Sequence, residues 1–450
     1  MFPVRAAHRR WVVLLVAAAL VAVPLGTVQH AIASDGTLVL AALKVLDEEY
    51  VDPVQPVPLL NAAIATLRKA TNQSSAALPD IPAGTARADA EISFTSEFER
   101  AAELNSTSET QLAYEATAGM LASLRDSHTA FLDPKQYLES RQQILGRPGF
   151  TGIGVVITAR KDAAGDAWIF VEDVFPGSPA ESAGVKRFDR IVQVDGKSLK
   201  NVTSLEASQF IRGPAGSTAA LQILRGDRTL MIDVVRAPIR EHPVEARFIQ
   251  PGVAYVKLVG FPRGAGAQLR MSLQELEVRE SIRSIVLDLR GNPGGLIHEA
   301  VAIGSLFLPP RTVLSKITER GQSPSVLQTA GTPLFPQTPV VVLIDGSSAS
   351  ASEILTGAFK DHHRATIVGE KSAGALGGSV TVPLPDRTGM SVTVERIMTP
   401  QGAQVEGVGI APDVNVSLTV SDMVRGEDTQ LQAALRVLAA LRMRLTSRAA

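Results

Sequence analysis

Residues 340–359 read VVVLIDGSSASASEILTGAF, and this stretch decides the fold class. It starts with five consecutive β-branched or aliphatic residues, a pattern typical of a strand buried on both faces of a sheet. An Asp-Gly turn follows, four serines lie within 347–352, and apolar residues at helical spacing come next. A buried strand that passes through a short turn into a helix predicts an α/β layer with a largely parallel sheet.

The serines at the start of this helix support two interpretations. Ser350 and Glu353 fit a capping box, in which the serine is the N-cap of the helix. Alternatively, the turn exposes one hydroxyl at the helix N-terminus, where the helix dipole and free N–H groups favour developing negative charge. The chain contains no cysteine, which excludes disulfides, thiolate zinc sites, iron–sulfur clusters and a thiol nucleophile.

Strands and helices alternate on both sides of this turn. Strands are predicted at 253–261, 284–291, 340–346 and 365–369. Helices are predicted near 264–279, 295–308 and 351–360. A hairpin is predicted over 379–394, and an amphipathic helix within 419–450 is expected to cap the core. We therefore expect an α/β core over 241–418.

Residues 146–240 have a different pattern and predict a compact module. Short β-branched runs separated by turn clusters predict five strands, with helix candidates at 178–184 and 204–212. The module opens with glycines whose backbone N–H groups are able to converge on an anion, ahead of a strand with a free edge. The residues of this loop are Gly152, Ile153, Gly154 and Val155.

Residues 34–145 predict a mainly helical N-terminal region. Helical spacing occurs at 37–50, 58–69 and 109–125, whereas 71–90 is rich in Ser, Ala, Pro and Gly and predicts an exposed loop or linker.

The first 33 residues predict a secretory signal peptide. Arg5, Arg9 and Arg10 precede an uncharged run over 11–25, and a small-residue cleavage pattern ends at Ala33. The run is shorter than the roughly twenty residues that span a bilayer, although an uncleaved N-terminal anchor remains an alternative. We expect an exported protein, periplasmic or secreted. No later segment predicts a membrane span.

The charge balance argues against nucleic acid as a partner. The chain carries 44 Lys and Arg against 45 Asp and Glu, for a net charge of -1. A nucleic-acid-binding surface needs an excess or a cluster of basic residues, and neither is present.

Two sets of motifs resemble known families. GFTGIGV at 149–155 followed by PGSPAESAGVKRFDRIVQVDGKSL at 176–199 resembles the PDZ domains of bacterial proteases. LDLRGNPGG at 287–295 and GSSASASE at 346–353 resemble the carboxy-terminal processing, or tail-specific, serine proteases. This resemblance covers nearly all of the chain after the leader. It implies a multidomain α/β (α+β) protein in which a helical N-terminal region and a PDZ domain precede a ClpP/crotonase-like protease core.

The resemblance also implies roles for individual residues. Ser350 matches the nucleophile, and the loop from Gly152 to Val155 matches the site that captures the terminal carboxylate of a peptide. Backbone N–H groups of Ala351 and of Gly294 or Gly295 match the donors of the oxyanion hole.

The chain departs from the best-known members of this family at the general base. Those members use a serine–lysine dyad, and the position of their lysine is Ala375 in this chain. Lys371 precedes this position by the number of residues in about one helical turn, so it does not match the family lysine. A serine hydroxyl without a base is a poor nucleophile, so the site either is inactive or uses another base.

A histidine offers that base. Ser127 and His128 resemble the Ser-His pair of the tricorn-like branch of the same superfamily, in which histidine is the general base. That branch also has a glutamate just before a Gly-Val segment that ends in Pro-Asp. The segment EGVGIAPD, which begins at Glu406, resembles this arrangement. The alternative interpretation is that His128 has only a structural role and that Glu406 is an ordinary turn residue.

These observations predict an exported serine endopeptidase in which His128 activates Ser350, aided by Ser127 and Glu406. The expected partners are proteins or peptides with free C-termini, with self-association left open, and no metal or organic cofactor is required. One alternative is a pseudoprotease that uses its PDZ domain as a peptide-binding scaffold. Another retains a lysine mechanism through Lys371.

Overall fold

A computed structural model describes residues 36–104, 108–144, 151–239 and 243–449. The predicted signal peptide and the first two residues of the GFTGIGV motif lie outside the described residues. Within the described ranges, no helix has the length and apolar character needed to cross a bilayer.

The N-terminal region is helical, as predicted, but it contains two helices that were not predicted, over 87–103 and 134–144. Its elements are α1 (Thr37–Glu49), α2 (Pro56–Thr71), α3 (Arg87–Glu103), α4 (Glu109–Ala122), β1 (Ala130–Leu132) and α5 (Pro134–Ile144). The loop predicted up to residue 90 is therefore wrong at its end. The helix α3 buries only one narrow stripe, and its polar first turn resembles the preceding loop in composition. That stripe consists of Ala90, Phe94, Phe98 and Ala101.

The module between this region and the core is an antiparallel sheet with two short helices. Its elements are β2 (Thr151–Gly152), β3 (Val155–Lys161), β4 (Ala167–Val174), α6 (Pro179–Ser182), β5 (Arg190–Val194), β6 (Lys197–Ser198), α7 (Ser204–Ile211), β7 (Thr218–Arg225), β8 (Arg228–Val235) and β9 (Ala237–Pro238). The main sheet has the order β3-β4-β5-β7-β8, and the module has its own hydrophobic core. The five predicted strands and two helices are confirmed.

The strands of the α/β core are β10 (Val244–Gln250), β11 (Val253–Leu258), β12 (Ser284–Asp288), β13 (Val313–Glu319), β14 (Ser325–Gln328), β15 (Val340–Ile344), β16 (Thr366–Gly369), β17 (Gly377–Pro383), β18 (Gly389–Met398) and β19 (Val414–Asn415). Six of them form the central sheet, in the order β10-β11-β12-β15-β16-β19. Its helices are α8 (Ala265–Arg279), α9 (Ile297–Gly304), α10 (Ala351–Asp361), α11 (Val420–Arg425) and α12 (Thr429–Ala449).

The central sheet is covered on both faces, as its continuous apolar strands predict. All of its pairings are parallel except that of β10 with β11. Helices α8, α9 and α10 pack on one face. Helix α12 packs on the other through Ala433, Ala434 and Leu438, so the predicted capping role of the C-terminal helix is confirmed.

A second sheet joins the N-terminal region to the core. The long strand β18 pairs with β17 in the predicted hairpin, and it also pairs with β13 and with β1. The register places Ala130 opposite Ser391. Leu384, Met390 and Val392 of this hairpin belong to the same hydrophobic core as the N-terminal helices. The segment just before β1, which contains His128, therefore lies beside the α/β core.

Candidate active site

Ser350 lies in the turn between β15 and α10 and has a strained backbone. Its φ is 54° and its ψ is -116°, a region that non-glycine residues rarely adopt. Its N–H group donates hydrogen bonds to the main-chain oxygen of Ala375 (2.9 Å) and to Oε2 of Glu353 (3.1 Å). These contacts hold the serine in a conformation that its local sequence alone disfavours.

Glu353 forms the carboxylate half of the predicted capping box and also holds a second loop. Besides Ser350, the carboxylate accepts hydrogen bonds from Ser372 Oγ (2.6 Å), Gly374 N (2.8 Å) and Ala375 N (3.0 Å). Burial raises the pKa of Glu353, and these hydrogen bonds oppose that increase. The sequence predicts the capping box but contains no signal for the contact with the loop over 372–375.

The glycine loop after β12 approaches the start of α10 closely. A Cβ atom on Gly294 would lie 2.7 Å from Ser350 Cβ and 2.9 Å from Ala351 N, so a side chain has no room there. The N–H of Gly294 donates to Asn292 Oδ1 (2.9 Å). Gly295 lies against Phe261, whose main-chain oxygen would be 2.6 Å from an added Cβ. Of the predicted oxyanion donors, Ala351 and Gly294 thus lie beside the serine, and the N–H of Gly294 already has an acceptor.

Ser127, His128 and Glu406 form one hydrogen-bonded group. Ser127 Oγ lies 2.9 Å from His128 Nδ1 and donates to Glu406 Oε1 (2.7 Å). Glu406 Oε2 lies 3.7 Å from His128 Nδ1 and accepts from Leu376 N (2.6 Å). The His128 and Glu406 side chains retain 19 and 24% exposure, so this group is accessible from solvent.

Asp126 and Thr129 hold the backbone of His128, a role that the sequence analysis did not assign. Asp126 accepts hydrogen bonds from His128 N (2.9 Å) and Thr129 Oγ1 (2.7 Å). Thr393 on β18 donates its N–H to Thr129 Oγ1 (3.0 Å). Burial by itself would raise the pKa of Asp126, but hydrogen bonds from Thr393, from the His128 backbone and from Thr129 outweigh burial and lower it.

One short segment joins the serine and histidine groups. The main-chain oxygen of Ala375 contacts Ser350 N, and Leu376 N contacts Glu406. A Cβ on Gly377 would lie 3.3 Å from His128 Nδ1. Residues 375–377 therefore touch both Ser350 and the group around His128.

Lys371, the alternative base, and two further histidines lie elsewhere. Lys371 is exposed and places its Cε beside Gly409. His362 Nε2 lies 2.7 Å from the oxygen of Val313, and His298 pairs with Glu299 at 3.4 Å.

Among the described residues, Asp126, His128 and Glu406 offer metal-ligating atoms within 4.8 Å of one another. Oxygens of both carboxylates already accept hydrogen bonds from the protein: those of Asp126 from His128 N and Thr129, and those of Glu406 from Ser127 and Leu376. The hydrogen bonds account for the arrangement of the group.

The predicted peptide-binding loop of the second module borders a cavity of about 60 Å³. The residues lining it are Gly152, Ile153, Gly154, Val155, Ile157, Ser208, Ile211 and Arg212. Gly154 has a φ of 83°, and a Cβ there would lie 2.4 Å from Ser178 Cβ. Only glycine fits at this point of the loop.

The chain is similar to known families in both of its modules. The family model "Peptidase family S41" matches residues 252–416, and the model "PDZ domain" matches residues 142–224. A carboxyl-terminal-processing protease of Picosynechococcus is 35% identical over 334 residues, which cover 72% of this chain and 79% of that protein. A carboxy-terminal-processing protease of Bartonella bacilliformis is 32% identical over 321 residues, with 70 and 72% coverage.

Solved structures show the same fold. The photosystem II D1 C-terminal processing protease is 28% identical, has a TM-score of 0.52 and matches 90% of this chain and 97% of that chain. A putative S41 protease from Bacteroides fragilis has a TM-score of 0.56 at 17% identity, with 89 and 97% coverage, and supports the fold only.

Proposed function

This chain belongs to peptidase family S41 and is a serine-type peptidase that cleaves proteins, and on that premise we propose that Ser350 is its nucleophile and His128 its general base. The observation that carries this proposal is the group formed by Ser127, His128 and Glu406. Within the ranges that the structure describes, Lys371 joins no comparable group, and its side chain is exposed.

The hydrogen bonds of Ser127 indicate which nitrogen of His128 is the base. Ser127 has a single hydroxyl proton, and it donates that proton to Glu406. Its oxygen therefore accepts the hydrogen bond from His128, which places the imidazole proton on Nδ1. The lone pair is then on Nε2, the nitrogen that accepts the proton of the Ser350 hydroxyl.

The reaction follows the logic of acyl transfer through a serine. Ser350 Oγ bonds to the carbonyl carbon of the substrate as its proton moves to His128 Nε2, and the carbonyl oxygen becomes an oxyanion. Backbone N–H groups of Ala351 and of Gly295 stabilise that oxyanion, because the N–H of Gly294 already donates to Asn292 Oδ1. The scissile C–N bond then breaks, and the leaving amine takes the proton from His128. Water hydrolyses the acyl-enzyme by the same steps in reverse.

The PDZ domain recognises the substrate in this proposal. The loop from Gly152 to Val155 binds the terminal carboxylate through its backbone N–H groups, and strand β3 pairs with the peptide. Ile153, Ile157 and Ile211 border the cavity and favour an apolar final side chain. Because named relatives are C-terminal processing proteases, we place the cleavage site near the C-terminus of the substrate. The leader predicts export to a periplasmic or extracellular location, with an uncleaved anchor as the alternative.

Two matched variants test the choice of base. We expect His128→Ala to lower kcat/KM for a peptide substrate by about 10³-fold or more, because it removes the proton acceptor. Lys371→Ala should change kcat/KM by less than about twofold, since its side chain lies away from the hydrogen-bonded group. Activity retained in His128→Ala, or lost in Lys371→Ala, would contradict the assignment.

A fluorophosphonate probe separates an enzyme from a scaffold. The probe reacts with an activated serine and should label the wild-type chain but not Ser350→Ala. His128→Ala should be labelled much more slowly than wild type. A wild-type chain that is neither labelled nor active would indicate the pseudoprotease.

A further inference from the structure

Asp345 connects the two loops that surround the nucleophile. This residue follows β15 and is 1% exposed. Its Oδ1 accepts hydrogen bonds from Gly291 N (3.0 Å), Ser347 N (2.9 Å) and Ser348 Oγ (3.3 Å). Gly291 begins the glycine loop, and the two serines belong to the turn that carries Ser350. One carboxylate therefore sets the position of the glycine loop relative to the nucleophile turn.

A side chain of the PDZ domain reaches this carboxylate. Glu172 lies on β4, is 2% exposed, and places its carboxyl beside Gly291, whose N–H donates to Asp345 Oδ1. A Cβ on Gly291 would lie 3.4 Å from Glu172 Oε2, so the carboxyl also packs against the glycine loop. Within the described chain, Glu172 Oε2 is buried without a hydrogen-bond partner.

Two carboxylates are unable to hydrogen-bond each other unless one of them carries a proton. Burial, followed by the charge of Asp345, raises the pKa of Glu172 to about 8, while Lys257 and Arg290 oppose this increase. Both cations already have other partners. Lys257 Nζ donates to the main-chain oxygen of Arg290 (2.5 Å), and Arg290 binds Asp288 and Asp428.

The charged and titratable groups around Glu172 come from several elements. From the core they are Asp345 after β15, Lys257 and Tyr255 on β11, Arg290 after β12, and Glu245 and Arg247 on β10. From the PDZ domain they are Asp173, Glu181, Lys186 and Arg187. Arg187 donates to the main-chain oxygen of Glu172 (2.9 Å) and pairs with Asp428. A cleft of about 420 Å³ between the two domains is lined by Glu172 and most of these residues.

We propose that Glu172 is a positioning residue that, as a neutral acid, hydrogen-bonds Asp345 and holds the PDZ domain against the loops around Ser350. Ionisation of Glu172 places a second negative charge against Asp345 in a buried contact. The PDZ strand then separates from the core, and the glycine loop and the nucleophile turn lose a common support. This effect lowers kcat and leaves KM for a short peptide nearly unchanged, because the residue touches no substrate.

The direction of the pH dependence follows from the sign of the shift. Glu172 has a pKa raised from 4.5 to about 8, so the docked state binds a proton that the separated state releases. The stabilisation of docking is complete below pH 4.5 and is lost as the pH rises through about 8. Within this window, docking weakens by up to about tenfold per pH unit.

Fluorescence of Trp168 reports on the docking contact directly. Trp168 lies on β4, the strand of Glu172, and packs in a cluster with Leu418 and Met423 outside the PDZ domain. The chain has two tryptophans, so full-length protein with Trp11→Phe leaves Trp168 as the single emitter. We expect a step in its emission between about pH 6 and pH 9, with a fall of about tenfold in kcat for a short peptide over the same range.

Three variants in this background decide the proposal. Glu172→Gln, which is neutral at every pH and able to donate to Asp345, should remove both the emission step and the alkaline fall in kcat. Glu172→Met, neutral but without a hydrogen bond, should remove the step and lower kcat at all pH values. Glu245→Gln is the control, since burial also raises the pKa of Glu245 in the same cleft, and it should retain both changes.

The proposal is overturned if the wild-type chain shows no emission step or if Glu172→Gln retains it. It is also overturned if Glu245→Gln abolishes the step while Glu172→Gln does not. The emission step requires no turnover and remains measurable in Ser350→Ala. Failure of this proposal is therefore distinguishable from failure of His128 as the base.

Discussion

The two halves of the proposed active site are built in different ways: the nucleophile half surrounds Ser350, and the base half consists of Ser127, His128 and Glu406. The N–H of Ser350 is held by the carboxylate of Glu353, which lies three residues later in the chain and is 1% exposed, and by the main-chain oxygen of Ala375. The base half joins Ser127 to Glu406, which are 279 positions apart in sequence, and both side chains are partly accessible. The nucleophile turn is therefore a strained structure that depends on one nearby carboxylate and on the loop over 372–375, whereas the base group exists only when the N-terminal region packs against the core.

This difference predicts where each half is sensitive. The nucleophile half should respond to changes in backbone conformation, because its geometry is set by a strained φ. The base half should respond to small displacements of the segments that meet there, because it depends on contacts between distant parts of the chain.

The largest expected effect comes from two replacements of Ser350. Ser350→Ala and Ser350→Gly should each lower kcat by at least about 10⁴-fold, because both remove the nucleophile. The glycine variant should be more stable than the alanine variant by about 1 kcal/mol, since glycine adopts positive φ without steric cost. Peptide hydrolysis and thermal unfolding measure the two quantities. Equal stability of the two variants would show that the nucleophile turn stores no strain.

A smaller effect is expected from added methyl groups near each half. Gly377→Ala places a Cβ 3.3 Å from His128 Nδ1 and 3.2 Å from Thr393 Cγ2, so it should displace the imidazole and lower kcat by about tenfold. Gly346→Ala is the matched control in the nucleophile turn, where the nearest atom to an added Cβ is 4.0 Å away. Its kcat should stay within about twofold of wild type. A larger loss in Gly346→Ala than in Gly377→Ala would reverse the comparison.

The smallest effect concerns the support of the base half by Asp126. Hydrogen bonds to its carboxylate outweigh burial and lower its pKa, so ionised Asp126 stabilises the folded chain. This contribution is present above the ordinary pKa of 3.8 and is lost as the pH falls below it. Asp126→Asn should therefore destabilise the protein by about 1 kcal/mol at pH 7. The difference in thermal stability from wild type should shrink towards pH 3, and a constant difference would contradict this account.

Much of the fold follows from local patterns in the sequence. The apolar strands of the central sheet, its helices and the five main strands of the PDZ domain have periodicities and turn residues that are readable over ten to twenty positions. The helices α3 and α5 and the strands β1, β10, β13, β14 and β19 were not predicted. Helix α3 buries a single stripe, and β14 is mostly exposed, so neither has a strong pattern.

The candidate site divides in the same way. The serine turn, the glycine loop and the histidine were found from motifs in the sequence. The roles of Asp126, of the carbonyl group of Ala375 and of the contact between Glu353 and the loop over 372–375 were not found, because each is a hydrogen bond between segments that only folding brings together.

The sequence by itself determined the strand-turn-helix around Ser350, the PDZ domain and the absence of thiol chemistry, because periodicity, turn residues and composition are local properties of the chain. The tertiary structure alone decided that β1 pairs with β18 and brings His128 to Glu406. It also decided that Glu172 is buried beside Gly291, the residue that donates to Asp345. Burial and distance set the protonation of a carboxyl group, and neither is a property of the residue or of its neighbours in sequence.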